Sequence, residues 1–233
     1  VTETRKQFHD ELAELREDVI RLGALATEAI EAGSAAFLDA DLAAVEQVVS
    51  ADRAIDELAD SIEERTYLLM AQQQPMAVDL RTLVTVLRVI HEVERAGDLM
   101  KNVAKAARRL YPFELDPRVR GIIDRMREQA GTQLRLAVET FADRDLGRAA
   151  ALPDMDDVMD DLQRELYRVI FAGHADDERQ LQQAVQVALV GRYFERIGDH
   201  AANIAERVAF MVTGTFRHHQ ADSGGARRTD GRR

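Results

Sequence analysis

The pentapeptide Glu94-Arg95-Ala96-Gly97-Asp98 returns 101 positions later as Glu195-Arg196-Ile197-Gly198-Asp199, each copy inside a long helical pattern. A duplication on this scale constrains the fold strongly, because each half must rebuild the other's elements. A second mark supports it: Asp39-Ala40-Asp41-Leu42 is matched by Asp143-Arg144-Asp145-Leu146 at an offset of 104. The change from 104 to 101 is assigned to the second connection of the repeat.

Six helical patterns are expected. The first runs from about residue 4 to 37, with Phe8, Leu12, Leu15, Val19 and Leu22 at spacings of three and four. Asp41 is placed to cap the second, from about 42 to 71, which Gln72-Gln73-Gln74-Pro75 closes. Asp79 stands at the N-cap or first turn of the third, from about 80 to 110. The fourth spans about 117 to 141, and the fifth ends near Ala172-Gly173-His174, with Pro153 opening or kinking its start. The sixth spans about 177 to 212. Short connections make each half an antiparallel three-helix bundle. The expected fold is all-α, two tandem three-helix bundles, with residues 1–112 as repeat 1 and 113–213 as repeat 2. Residues 214–233 hold Gly, Ser, Arg and His, and read as a flexible polar tail. His218-His219 there is read as a solvated pair; Arg227, Arg228, Arg232 and Arg233 suit weak contact with an anionic surface.

Composition narrows the function. With no Cys there is neither disulfide nor thiolate metal site, so a cytoplasmic home is expected. No apolar run is long enough for a membrane span and no leader opens the chain, so a soluble protein, mature as written, is expected. A net charge of −11 argues against nucleic acid and favours cations or a basic protein surface. The oligomeric state stays open, a homodimer included.

The acids carry the chemistry. On the third helix Glu94 and Asp98 continue the line of Leu80, Val84, Leu87 and His91, so they are expected to turn toward the core. Leu181, Val185, Ala188 and Arg192 lead in the same way to Glu195 and Asp199. The second helix carries another pair, Asp52 and Asp56, on the face of Val45 and Val49; its match on the fifth is Asp156 and Asp160. Packed side by side, adjacent helices would gather four carboxylates in each repeat. Such a group either takes up protons or binds cations. Oxygen-only donors suit Mg, Ca, Mn or oxidised iron; zinc lacks its usual His or Cys. Gly97 and Gly198 would let a neighbouring helix approach. Asn102 and Asn203, one turn beyond each Asp, are placed to bond a carboxylate or bound water. Arg95 and Arg196 would pair with nearby acids or stay at the rim. Glu63 shares the acid face, but Tyr167 stands at its matching position; His91, matched by Arg192, is left outside the site. A solvated ion-pair face is the plain alternative.

The two pentapeptides, Pro75 with Asp79-Leu80-Arg81, and the Asp52/Asp56 and Asp156/Asp160 pairs together resemble the PhoU family of phosphate-signalling regulators, over about residues 8 to 213. The resemblance implies two bundles with pseudo-twofold symmetry and divalent or multinuclear metal (Mg, Mn, Fe or Zn) at both acid sites. It implies a negative regulator of phosphate uptake and of the starvation response, linking a phosphate ABC transporter to a sensor histidine kinase. Membrane association would then come only through those partners. The metal ligands would be Glu94, Asp98, Glu195 and Asp199, partnered by Asp52, Asp56, Asp156 and Asp160. Gln180-Leu181-Gln182 replaces Asp79-Leu80-Arg81 in the second repeat, a departure that leaves the equivalence of the two sites open. No nucleophile arrangement or phosphate-cradling loop is visible, so a non-enzyme is expected. The alternatives are a di-iron helical enzyme, which would need a Glu-x-x-His motif absent here, and a plain scaffold.

Overall fold

The computed structural model describes residues 2–73, 75–173 and 177–215. They form six helices: α1 (Thr2–Leu38), α2 (Leu42–Gln73), α3 (Val78–Leu110), α4 (Pro117–Asp143), α5 (Leu146–Ala172) and α6 (Glu178–Thr213). Most of the segment read as a polar tail, residues 216–233, lies outside the described residues, as does His174. Among the described residues no helix is long and apolar enough to cross a membrane.

The duplication reaches the backbone. Each first connection turns on a left-handed residue, Ala40 (φ 51°) or Arg144 (φ 56°), and an Asp follows at once. Asp41 Oδ1 accepts from the Ala43 and Ala44 amides at 2.9 and 3.0 Å. Asp145 Oδ1 accepts from Gly147 and Arg148 at 2.8 and 3.2 Å. Amide donors that a helix start leaves open are thus satisfied twice in the same way. Asp177 caps α6 through the Gln180 amide at 2.8 Å, and Asp79 sits in the first turn of α3. The lost residues come out of α5, which has 27 residues against 32 in α2. Pro153 does not open α5. It lies inside the helix on an exposed position, seven residues past the start at Leu146, where Asp145 supplies the cap.

Four helices form the middle of the molecule. The most extensive packing is α3 against α6, one from each repeat, and α1 also packs on α4. The outer helices α2 and α5 pack chiefly within their own repeat. One continuous apolar core results, with Leu22, Phe37, Leu83, Met100, Ile123, Leu134, Leu152 and Phe194 fully buried in it.

The α1–α4 seam depends on Gly23. A Cβ there would lie 2.5 and 2.7 Å from the two γ-methyls of Val138 and 3.1 Å from its Cβ. Valine is held to few rotamers in a helix and cannot swing away. Gly23→Ala is expected to destabilise the fold by about 1–2 kcal/mol, overpacking outweighing the roughly 1 kcal/mol gained from helix propensity. Urea unfolding checks this, and Val138→Ala in the same chain should recover part of the loss.

One sequence expectation fails here. The line Leu80, Val84, Leu87, His91 is not the core line of α3. The buried line is Leu83, Val86, Ile90, Val93, Gly97 and Met100, about 100° round the helix. Leu80 is 39% exposed and His91 is exposed. In α6, Leu181 and Val185 are 56% and 50% exposed and line an open groove with Tyr167 and Phe171. Glu94, Asp98 and Asp199 therefore stand half-buried at the rim between helices, whereas Glu195 is buried, only 8% exposed.

Candidate functional site: two unlike acid clusters

Repeat 1 builds its cluster from α2 and α3. Ile55 packs against Gly97: a Cβ on that glycine would meet Ile55 Cδ1 at 3.1 Å and Asp52 Oδ1 at 3.8 Å. The missing side chain lets α2 lie close to α3 and brings Asp52 to the α3 acids. Asp52 is only 6% exposed, while Asp56, Glu94 and Asp98 are half-buried. Lys101, one turn beyond Asp98, closes the cluster. Its ammonium donates to Asp52 Oδ2 and, at 2.7 Å, pairs with Asp98 Oδ1. Burial works against that charge, but the bonds to Asp52 and Asp98 win and hold the Lys101 ammonium above its usual range. Burial raises Asp56 and Glu94, and neighbouring carboxylates add to it, although Arg95 and His91 offset part of the effect at Glu94. Arg95 reaches Asp98 Oδ2 at 3.5 Å, and His91 stands 3.6 Å from Glu94. Glu63 turns to the Tyr67 hydroxyl at 2.9 Å on the same groove wall as Glu94.

Repeat 2 builds the matching cluster from α5 and α6, with one residue from α4. Gly198 brings the helices together: a Cβ there would lie 2.8 Å from Asp156 Oδ1 and 3.2–3.4 Å from the Gln133 amide. Position 202, the match of Lys101, is Ala. Among the described residues no ammonium bridges these helices. Glu195 is 8% exposed; its Oε1 takes a bond from Arg192 on its own helix, while Oε2 is buried without a partner. Asp156 Oδ1 is likewise buried and unpartnered, as are both amide atoms of the fully buried Gln133. The Gln133 amide lies against Asp156 and eases its charge. Burial, then Asp199 and Asp160, push the Asp156 carboxyl up from 3.8 to about 6. Burial and Asp199 also raise Glu195, against the pull of Arg192.

The raised carboxyl has a consequence for stability. Folded Asp156 binds its proton more tightly than the unfolded chain, so its contribution falls as pH rises from about 4 to about 6. At pH 7 its charge is a burden of about 1 kcal/mol after allowing for solvent screening. Asp156→Asn is therefore expected to stabilise the metal-free protein by about that amount at pH 7. The gain should vanish near pH 4, as measured by thermal unfolding in a chelating buffer at both pH values.

The expected pairings within each repeat are thus electrostatic neighbours, but the two asparagines are not alike. Asn203 Nδ2 donates to Glu92 Oε2 at 3.3 Å, across the α3–α6 seam and not to Asp199. His200 Nδ1 donates to the same oxygen at 2.6 Å. Asn102 is half-buried one turn beyond Asp98. Sequence reasoning missed Lys101, whose signal was a lone cation one turn along the acid face. It missed Gln133, a polar residue in the apolar run Ala130, Leu134, Ala137.

The metal implied by the family resemblance can be tested against these groups. Among the described residues, no three or more Asp, Glu or His side chains stand ready as they are to hold an ion. In repeat 1 the Lys101 ammonium fills the bridging place between α2 and α3, and a metal does not fit beside it. In repeat 2 the orphaned oxygens of Asp156 and Glu195 fit a hard cation, with Asp160 and Asp199 within electrostatic reach.

Comparison with known proteins agrees with this architecture. The PhoU domain model matches twice, over residues 19–107 and 123–208. The chain is 37% identical over 213 residues to the phosphate-specific transport system accessory protein PhoU homolog 2 of Mycobacterium tuberculosis, covering 91% of this chain and 99% of that one. It is 36% identical to PhoU homolog 1 of Mycobacterium leprae, covering 91% and 95%. The crystal structure of PhoU from Pseudomonas aeruginosa superposes with a TM-score of 0.83 at 29% identity, covering 89% of this chain and 100% of that one. The phosphate transport system regulatory protein PhoU from Streptococcus pneumoniae gives 0.82 at 25% identity, covering 90% and 98%. A family domain repeated across both halves, on a shared six-helix fold, makes this chain a member of the PhoU family.

Proposed function

We propose that this chain is a cation-binding accessory protein of phosphate transport. In this reading it works in the cytoplasm as an adaptor and restrains phosphate uptake and the starvation response by linking a phosphate ABC transporter to a sensor histidine kinase. The observation that carries the reading is kinship across 91% of the chain to relatives named as accessory proteins of phosphate-specific transport. The acid cluster of repeat 2 supports the cation part, since its buried carboxylate oxygens are of the kind that hard cations such as Mg or Mn take. The protein acts as a regulator and not a catalyst: its carboxylates serve as ligands and charge partners.

Deleting the protein should switch on phosphate-starvation genes in phosphate-replete cells. A tagged chain should retain the transporter and the kinase's cytoplasmic domain from the same cells. Unchanged expression in the deletion strain, with neither partner retained, would overturn the reading.

A further inference from the structure

We propose that repeat 1 carries its own permanent cation, the Lys101 ammonium, and that repeat 2 alone takes an exchangeable metal: one hard divalent ion per chain, held by Asp156, Asp160, Glu195 and Asp199. This rests on the cation-binding part of the function proposed above and departs from a pair of equivalent metal sites.

The two clusters present the same acids at matched positions and differ in what answers them. In repeat 1 the ammonium joins the helices, bound to Asp52 of α2 and Asp98 of α3. A metal ion in a carboxylate cluster would make the same bridge. Lys101 is itself largely shielded, its side chain 21% exposed, and it is tethered to the helix, so it cannot be diluted away.

In repeat 2 that bridge is missing. Ala202 offers no charge. Arg192 answers Glu195 from the same helix. What remains is a set of buried groups that no ammonium answers: Glu195 Oε2, Asp156 Oδ1 and the carbonyl oxygen of Gln133, whose neutral amide only eases the charge of Asp156. The Gln133 amide comes from a third helix and is fully buried beside Gly198 and Asp156. Its match in repeat 1 is Ala29, where Lys101 makes such a group unnecessary. Buried polar atoms are normally paired, and this cluster leaves oxygen acceptors whose charge a single cation would answer. Oxygen-only donors, with no Cys and no imidazole among them, select a hard ion of the Mg or Mn kind.

The test counts Mn(II) by electron paramagnetic resonance and isothermal titration on the full chain, stripped first with chelator. Circular dichroism serves as the control for folding. The native chain should bind one Mn(II). Asp199→Asn should weaken that binding at least about tenfold, whereas Asp98→Asn should leave the count at one. Ala202→Lys supplies repeat 2 with the ammonium it lacks and should abolish the site. Lys101→Ala should gain a second site; should that variant fold poorly, Ala202→Lys and Asp98→Asn carry the test. Two comparable sites in the native chain, or equal loss from Asp98→Asn and Asp199→Asn, would overturn the inference and leave the cation-binding reading standing. No Mn(II) on either the native chain or Lys101→Ala would overturn both.

Discussion

Replacing Lys101 with alanine is expected to destabilise the metal-free protein by about 3 kcal/mol at pH 7. The magnitude follows from what the substitution leaves behind. Asp52 is 6% exposed, and its partner in the structure is the ammonium. Removing one member of a shielded pair strands the other charge, which costs more than the pair itself contributes. Asp98 loses the same cation while Asp56 and Glu94 stand nearby. The Lys101 ammonium is held above its usual 10.5, so the pair's contribution is complete at any pH below that value and fades only as the solution becomes strongly alkaline. Urea unfolding of the variant measures the loss. The double variant Lys101→Met, Asp52→Asn should recover most of it, because neither charge is then stranded. A loss below about 1 kcal/mol would make Lys101 an ordinary surface ion pair.

The second large effect is expected at the seam between the repeats. His200→Ala should destabilise by about 2 kcal/mol. Glu92 and His200 side chains are 13% and 14% exposed, and they meet at 2.6 Å across α3 and α6. Burial alone would raise the Glu92 carboxyl, but the bonds from His200 and Asn203 outweigh it and hold it below 4.5. Its stabilising effect is therefore present above pH 4.5 and is lost as pH falls through the lower folded value. Glu92 and Asp156 thus give opposite slopes on the acid side. A double-mutant cycle of His200→Ala with Glu92→Gln should show coupling of about 1 kcal/mol or more; near-zero coupling would remove this pair from the account of the seam.

The helices and their duplication were legible in the sequence because they rest on local chemistry. Asp41 and Asp145 cap the same helix start in both repeats, and Gln73 ends α2 just before Pro75. The acid pairs were legible because i, i+4 spacing fixes a shared face. Which face was not legible. α3 is packed by α1, α2 and α6, so apolar residues occupy most of its circumference. Periodicity then allows several stripes, and the one through Leu80 lies about 100° from the core line through Leu83. The difference between the two clusters was hidden for another reason. Lys101, Ala202 and Gln133 acquire meaning only once α2 is seen against α3, and both α4 and α5 against α6. Gln133 lies far from the acids in sequence, and no spacing rule connects it to them.

The most direct test of the central claim is a crystal soaked in Mn(II) and measured at a wavelength where manganese scatters anomalously. One peak per chain is expected, between α5 and α6 beside Asp156, Asp160, Glu195 and Asp199, with Lys101 still joining Asp52 to Asp98. Peaks of similar height at both clusters, or a peak between α2 and α3 with Lys101 turned out to solvent, would contradict it.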